Sequence, residues 1–300
     1  MIVLTTPTGD IGSQVLRGLL DSPSDEPVRV VVRDPARLAS DVRERVDVVT
    51  GSHGDAEVID GALGGASALF WCVPPDRTAA DLVPAYSGFT APAARAITAH
   101  GVGHVVSVSA LGRGTPYADR AGLVTASLAM DDLLASTGAA FRALANPTFM
   151  DNLLREVDSI RDDGVFTDTG APDRVRRTVA TRDIAATAVE LLLDRSWSGS
   201  GEVPVLGPED LSPADMAAIM SDVLGREVTY RRQGYDDLAA AMARFGAAPA
   251  FVDGMVDMMR AKDEHGLDFG PPRTSDALHP ARPTSFRTWC EDVLRPAVAG

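Results

Sequence analysis

The segment IVLTTPTGDIGS, residues 2–13, decides the fold that this sequence predicts. Its apolar start predicts a strand, and Gly9 and Gly12 predict a turn from that strand into a helix. A helix N-terminus presents unpaired backbone N–H groups and a positive dipole end, which together attract phosphate. Glycines at such a turn let the backbone approach a pyrophosphate and the adjacent strand. The segment therefore predicts a dinucleotide-binding turn, although Thr6 or Pro7 stands where the first of the usual three glycines is expected.

A second apolar run predicts the next strand, and basic residues follow it. Residues 28–32, VRVVV, lead into RDPARL at 33–38. An arginine at the end of this strand is placed to bind the 2′-phosphate that distinguishes NADP from NAD. Arg33 and Arg37 therefore predict NADP(H) as the cofactor. Residues 6–12 taken alone could also be an ordinary turn that opens a helix. The basic residues after the second strand favour the dinucleotide-binding interpretation.

The composition and charge of the chain restrict its partners. Its 300 residues carry a formal net charge of −14 and are 45% hydrophobic. An acidic surface repels nucleic acid and anionic membranes, and no apolar run reaches the length of a membrane span. Met1 leads directly into the first predicted strand, Cys72 and Cys290 lie in unrelated contexts, and the five histidines show no metal-ligand spacing. We therefore expect a cytoplasmic protein without metal, binding a small molecule and able to form a homodimer.

Apolar strands alternate with helical patterns through the first half of the chain. The predicted helices are 11–21, 55–63, 79–100 and 120–137, and the predicted strands are 2–5, 28–33, 46–50, 67–73, 104–109 and 140–145. Such alternation predicts an α/β fold with a doubly wound parallel sheet of the Rossmann type. Ligands of these sheets bind at the carboxyl ends of the strands.

The second half has a looser pattern. We predict helices at 151–161, 183–193, 213–224, 235–259 and 285–294, extended segments at 164–169, 175–180, 202–206 and 227–231, and a loop at 270–283. The helix at 235–259 is expected to break at Gly246 and Pro249. Its methionines fit an adaptable apolar pocket or ordinary core packing, and the sequence leaves both open.

Several stretches together resemble the NmrA-like branch of the atypical short-chain dehydrogenases. Residues 4–12 resemble the glycine-rich start of that family, 32–38 its basic second strand end, and 104–112 its fifth strand. Residues 146–153, 181–185 and 205–212 resemble later elements of it. The chain departs from the family at four positions: Thr6 replaces a glycine, Ser52 an acidic residue, Ser127 a lysine and Asn146 an arginine.

The resemblance implies two domains with the substrate in the cleft between them. The larger would be an NADP-binding domain of residues 1–150 with about 175–205, and the smaller, mainly helical one would hold about 151–174 and 206–300. The motifs and strand ends give as cofactor-binding candidates Thr6, Thr8, Gly9, Asp10, Ile11, Gly12, Arg33, Arg37, Val73, Pro74, Ser107, Pro147 and Phe149.

Catalytic candidates are few. The wider superfamily uses a Tyr and a Lys four residues apart as its acid, but Tyr117 is followed by Ala121 at that spacing. Tyr117 remains a candidate proton donor or a loop tyrosine, and Ser109 a candidate hydrogen-bond donor to a substrate carbonyl. Asp131 and Asp132 are expected on a solvated helix face. Lys262, the single lysine, lies far in sequence from every strand end, so its removal is expected to change the rate less than about twofold, well below the effect of losing a general acid.

Two functions of different class follow from the resemblance. The first is an NADPH-dependent reductase of a quinone, enone, imine or similar substrate, without the Tyr–Lys pair. The second is a non-enzymatic redox sensor that binds NADP(H) and presents a surface to a partner protein. A methionine-rich pocket would favour the reductase, and the missing lysine favours the sensor. We prefer the reductase.

Overall fold

The computed structural model describes residues 1–271 and 282–300, and a seven-stranded sheet lies at its centre. The strands are, in chain order, β1 (Ile2–Thr5), β2 (Val28–Val32), β3 (Asp47–Thr50), β4 (Ala68–Trp71), β5 (His104–Ala110), β6 (Ala140–Asn146), β7 (Thr148–Phe149), β8 (Val165–Asp168), β9 (Arg176–Val179), β10 (Ser200–Pro204), β11 (Asp210–Leu211) and β12 (Thr229–Arg232). The central sheet has the order β10-β6-β5-β4-β1-β2-β3, with every neighbouring pair parallel. The predicted doubly wound parallel sheet is therefore confirmed.

Helices cover both faces of this sheet. They are α1 (Asp10–Leu20), α2 (Ser40–Arg43), α3 (Ala56–Leu63), α4 (Phe89–His100), α5 (Leu123–Ala135), α6 (Val157–Asp162), α7 (Thr181–Leu193), α8 (Pro213–Leu224), α9 (Tyr235–Arg244), α10 (Pro249–His265), α11 (Phe286–Trp289) and α12 (Arg295–Ala299). Because side chains alternate along a strand, Leu4 of β1 packs with Val15 of α1, whereas Val3 packs with Ile97 of α4. Apolar side chains dominate both cores, as strands buried on two faces require.

The order of the strands creates the ligand crevice. The chain moves outward from β1 to β2 and β3, and then returns to the other side of β1 as β4. Helices that follow β1 and β4 therefore lie on opposite faces, and a crevice opens between them at the carboxyl ends of the strands. The residues after β1, β2 and β4 border this crevice.

The second half builds a smaller core of its own. Ile160 of α6, Phe166 of β8, Met220 of α8 and Trp289 of α11 share one buried cluster. Strands β8 and β12 pair in parallel, and β11, β9 and β7 form a three-stranded sheet. A capping box, in which Ser212 and Asp215 bond each other's backbone N–H, starts α8. No helix of residues 1–271 and 282–300 is both long and apolar enough to cross a membrane.

The structure corrects several predicted boundaries. The helix expected at 79–100 starts at Pro84 with a wide π-turn before α4, and the one expected at 151–161 is a 3₁₀ turn, Met150–Glu156, followed by α6. The break expected at Gly246 and Pro249 separates α9 from α10, which continues beyond 259 to His265. The strand expected at 202–206 is Ser200–Pro204 and joins the edge of the central sheet. Most of the loop expected at 270–283 lies outside the described residues.

Candidate cofactor and substrate site

The turn between β1 and α1 has the geometry of a phosphate-binding loop. Thr6 has a φ of 53°, and among the described residues it is the one non-glycine in this left-handed region. The Gly9 N–H donates to the Thr6 carbonyl at 3.0 Å. A Cβ on Gly12 would lie 2.0 Å from that same oxygen, so α1 can rest on the turn only with glycine there. Thr6 thus takes the conformation that a glycine usually supplies.

The first turn of α1 leaves its backbone donors without a side-chain cap. The N-cap residue is Gly9, and no side chain accepts from the N–H groups that follow it. A Cβ on Gly9 would meet the Thr6 carbonyl oxygen at 3.5 Å and Thr6 Cβ at 3.9 Å, both ordinary contact distances. Unpaired N–H groups at a helix start are the donors that bind a pyrophosphate. The predicted residues Thr6, Thr8, Gly9, Asp10, Ile11 and Gly12 therefore fit a dinucleotide, and their assignment stays a prediction.

Arg33 and Pro74 come from different strand ends and line one cleft. This cleft has a volume of about 680 Å³ and includes Phe89 of α4 in its wall. Arg33 follows β2 and is exposed, whereas Pro74 and its neighbour Val73 follow β4. Arg37 ends a 3₁₀ turn that the Asp34 carboxylate caps at the Ala36 N–H. Arg33 therefore lines the cleft directly, whereas Arg37 lies one short turn farther along the chain and is not part of its lining.

His53 packs behind Phe89 of this cleft, and the sequence analysis assigned it no role. It follows β3, is buried, and contacts the Cys72 carbonyl through Nε2 at 3.0 Å. Its ring meets Trp71 and Phe89 edge-on, with centroids 5.1 and 4.9 Å away. Burial lowers the pKa of His53 to about 4, and the Arg33 charge acts in the same direction against the Cys72 hydrogen bond. His53 is therefore a buried, neutral packing residue behind the cleft.

The end of β5 carries a buried cluster of hydroxyl groups around Asp131. Ser107 donates to Asp131 Oδ1 at 2.9 Å, and Ser109 donates to Oδ2 in a short hydrogen bond. The Ser127 hydroxyl lies 3.4 Å from that of Ser109. The expectation that Asp131 faces solvent is wrong, because it is 1% exposed on the side of α5 that packs against β5. Asp132, the next residue, is exposed as expected.

The surroundings of Asp131 disfavour its charged form. Burial raises the pKa of Asp131 to about 7, although the two serine hydrogen bonds and the more distant Arg113 lower it. Arg113 is held by Asp132 at 2.7 Å and Glu202 at 2.9 Å, and Glu202 raises the same pKa. None of the ion pairs formed within 1–271 and 282–300 includes Asp131. A buried carboxyl group without a cation is more stable when neutral.

The side chains of Asn146 and Ser107 are buried and donate their hydrogen bonds inside the protein, not to the crevice. Asn146, which stands in place of the family arginine, donates from Nδ2 to the carbonyls of Ser109 and Leu144 at 2.9 and 2.7 Å. Its Oδ1 is buried and has no hydrogen-bond partner among the described residues. Ser107 is fully buried with its hydroxyl on Asp131. The prediction that Ser107 binds the cofactor therefore has no exposed side chain to support it.

Lys262 lies at the carboxyl end of the sheet, contrary to its distance in sequence. Its Nζ donates to Thr148 Oγ1 at 3.0 Å, between the predicted cofactor residues Pro147 and Phe149. Thr148 Oγ1 also lies 3.4 Å from the buried Asp268 carboxylate. Within the described part of the chain Lys262 has no carboxylate within 4.0 Å. The argument that Lys262 is remote from the site is therefore wrong.

Helix α10 covers the segments that follow three neighbouring strands. Its Gly254 packs on Gly122 after β5, where a Cβ on Gly122 would lie 2.0 Å from the Gly254 carbonyl oxygen. A Cβ on Gly254 would in turn meet Leu82, which follows β4, at 2.4 Å. With Lys262 on Thr148 after β6, the helix forms one wall over the carboxyl ends of β4, β5 and β6.

Tyr117 packs against this helix. Its ring stacks on His265 of α10 with centroids 3.7 Å apart and an interplanar angle of 4°, and the Arg120 guanidinium lies over the ring at 5.0 Å. Met242, Met255 and Met258 pack with Leu123 and neighbouring side chains. These contacts favour the core-packing interpretation of the methionines.

The matched protein family agrees with this geometry. A family described as NAD(P)H-binding matches residues 7–195. A (4-alkanoyl-5-oxo-2,5-dihydrofuran-3-yl)methyl phosphate reductase from Streptomyces griseus is 30% identical over 290 residues, 96% of each chain. The NADPH-bound structure of an NADPH-dependent quinone oxidoreductase from Escherichia coli is 22% identical, covers 96% of this chain and 97% of that one, and has a TM-score of 0.77. A Citrobacter triphenylmethane reductase with NADP(H) is 17% identical, covers 99% and 100%, and also has a TM-score of 0.77.

The parallel sheet, the glycine turn and the crevice define a Rossmann-type dinucleotide-binding protein. The chain belongs to the NAD(P)H-binding, NmrA-like family of atypical short-chain dehydrogenases, as its motifs predicted. This is a family of NAD(P)H-dependent reductases.

Proposed function

We propose that this protein is an NADP(H)-dependent reductase of a small conjugated acceptor. The observation that carries the proposal is the shared cleft of Arg33 and Pro74, which joins the second strand end to the region beside the glycine turn. Arginine binds a phosphate through several N–H groups at once, so Arg33 favours the 2′-phosphorylated cofactor. The uncapped start of α1 would hold the pyrophosphate.

When bound, the nicotinamide supplies a hydride to the acceptor, and the chain has to bind, orient and protonate. Residues 1–150 with about 175–205 would hold the cofactor, while about 151–174 and 206–300 would bring α10 over the strand ends as a substrate wall. Lys262 and Tyr117 lie on or against that wall. A substrate between the α10 wall and the strand ends would meet an apolar surface with few polar groups, as small-molecule sites usually provide.

The relatives favour an acceptor with a conjugated double bond. The name of the Streptomyces griseus relative describes an unsaturated lactone that carries a phosphate ester. The Escherichia coli relative is a quinone oxidoreductase. Both names describe acceptors that take a hydride into a conjugated system, so enones and quinones stand ahead of imines. A classical carbonyl reduction is disfavoured because the chain has no Tyr–Lys pair at the required spacing.

The experiment measures NADPH and NADH oxidation with a set of enones, quinones and imines, beside calorimetric titration of both cofactors. We expect turnover with at least one conjugated acceptor and tighter binding of NADPH. Tight NADPH binding without any turnover across the set would contradict the reductase and favour the redox sensor. Absence of NADPH binding would contradict both.

A further inference from the structure

The buried Asp131 cluster lies at the end of β5 in the central sheet, and cofactor binding assigns it no task. It joins Asp131 of α5 to Ser107 and Ser109 of β5, with Ser127 beside Ser109. Ser109 is the penultimate residue of β5 and is 6% exposed, whereas Ser107, two residues farther from the carboxyl edge, is fully buried. Substrates of such sheets bind at that edge. Ser127 is itself buried and lies on the same helix as Asp131.

We propose that Asp131 is the proton reservoir of the reductase and that Ser109 passes its proton to the reduced acceptor. The inference rests on the proposed function. The hydride brings the electron pair to the acceptor, and the cluster brings one proton. The Ser109 O–H bond breaks as its proton moves to the acceptor oxygen, and the Asp131 carboxyl proton moves to Ser109 Oγ. Asp131 then remains as a carboxylate and regains a proton through Ser109 after the product leaves.

The hydrogen bonds of the cluster suit Asp131 both before and after the proton transfer. A neutral Asp131 can donate to Ser109, which frees the serine proton for the acceptor. After transfer, the carboxylate accepts from the hydroxyls of Ser107 and Ser109, which limits the penalty of a buried charge. Ser107, which is fully buried, therefore acts as a support for the charged state. Because Asp131 acts through Ser109, it is a positioning and proton-storing residue.

The neutral starting state follows from the surroundings of the cluster. Asp131 is 1% exposed, and the charged groups that face it are Arg113, from the segment after β5, and Glu202 of β10. Arg113 is already paired with Glu202 and with Asp132, so its charge is largely compensated. A carboxyl group in this setting keeps its proton near neutral pH, which is where a general acid is most effective.

The first test needs neither cofactor nor substrate. Infrared spectra of the unliganded protein, recorded across a pH titration, report the carbonyl band of a protonated carboxyl group. We expect such a band at mildly acidic pH that disappears as the pH rises through about 7. The part of the band that titrates near pH 7 should be absent in Asp131→Asn and retained in Asp41→Asn, a control on an exposed aspartate of α2 that forms no ion pair within 1–271 and 282–300. An ionised Asp131 at mildly acidic pH overturns the relay, whatever the enzyme's activity.

The second test follows kcat of NADPH oxidation against pH with an acceptor from the screen. Asp131→Asn keeps the shape of the side chain, and Ser109→Ala removes the donor without touching the carboxyl group. We expect each to lower kcat by about 10²-fold or more, the usual range for a general acid, with unchanged NADPH affinity. The wild-type rate should fall as pH rises through about 7, and Asp131→Asn should lose this dependence. Retention of the wild-type profile in Asp131→Asn would overturn the relay, whereas a wild-type protein without turnover would overturn the proposed function instead.

Discussion

Arg33 stands at the end of β2 and shares a cleft with Pro74 after β4. Arg33→Ala should weaken NADPH binding by roughly 1.5–3 kcal/mol, the range for hydrogen bonds to charged groups, because the 2′-phosphate would lose its charged partner. NADH binding should barely change. Calorimetry with both cofactors measures the difference, and Arg37→Ala, outside the cleft wall, is the matched control with a smaller loss. Equal losses for the two cofactors would remove Arg33 from the 2′-phosphate site.

Substitution of Gly12 tests whether the turn between β1 and α1 binds the dinucleotide. Gly12→Val should abolish dinucleotide binding, because a Cβ would lie 2.0 Å from the Thr6 carbonyl oxygen and would force α1 away from the turn. Gly61→Ala is a suitable control, since a Cβ on that helical glycine meets nothing within 4 Å. The measurement is NADPH titration of variants whose circular dichroism shows a folded protein. Unchanged affinity in a folded Gly12→Val variant would place the pyrophosphate elsewhere.

The contact of Lys262 with Thr148 changes the effect that we expect from its substitution. Lys262→Met keeps the length of the apolar stem but loses the hydrogen bond to Thr148. We expect a loss of about 0.5–1.5 kcal/mol in the free energy of unfolding, the usual net value of one hydrogen bond. Because the ammonium group lies on the proposed substrate wall and outside the Asp131 relay, KM should rise more than kcat falls. Urea unfolding and steady-state kinetics measure the two effects, and a fall in kcat with unchanged KM would contradict this placement.

Helix α10 is the element on which the substrate wall depends. Gly122 has a φ of 53° and touches the Gly254 backbone, so Gly122→Ala should push α10 away from the segment after β5. We expect weaker binding of the acceptor, which would contact α10. NADPH affinity should be retained, because the phosphate-binding turn lies after β1 and does not contact Gly122. Gly101→Ala controls for a positive φ alone, since Gly101 has a φ of 67° and no atom near its Cβ position, although its ψ of 38° differs from the −112° of Gly122. Gly122→Ala kinetics that match those of Gly101→Ala would show that backbone strain of roughly 1–3 kcal/mol, and not the displaced helix, causes the effect.

At the scale of the whole molecule, Asp131 should make stability depend on pH. Its pKa rises from 3.8 to about 7 on folding, so between these values the native state binds a proton that the unfolded state has released. The stabilisation is complete at low pH and is lost as the pH rises toward 7, by up to about 1.4 kcal/mol per pH unit and on the order of 4 kcal/mol in all. Asp131→Asn should therefore gain stability relative to wild type as the pH rises. Urea unfolding at mildly acidic and mildly alkaline pH, with the exposed Asp41→Asn as control, measures this, and a constant difference between Asp131→Asn and wild type would contradict it.

The fold could be predicted because its signals are local. The strand, turn and helix of residues 2–20 follow one another in the chain, and the basic end of β2 follows its own strand. The site was harder to predict, because it depends on which faces meet. Asp131 and Asp132 are neighbours in sequence, yet one is buried against β5 and the other pairs with Arg113. Lys262 reaches Thr148 across 114 positions of the chain, a contact that no local pattern indicates.

The single lysine also makes the protein a natural site-specific probe. A reagent that modifies primary amines has one side-chain target in this sequence, and that target stands half-buried on Thr148 beside the strand ends. A ligand that packs against the α10 wall beside Thr148 should slow the labelling of Lys262, while one that binds elsewhere should leave the labelling rate unchanged. Mass spectrometry of the modified peptide would then detect binding at this wall for compounds that are never reduced.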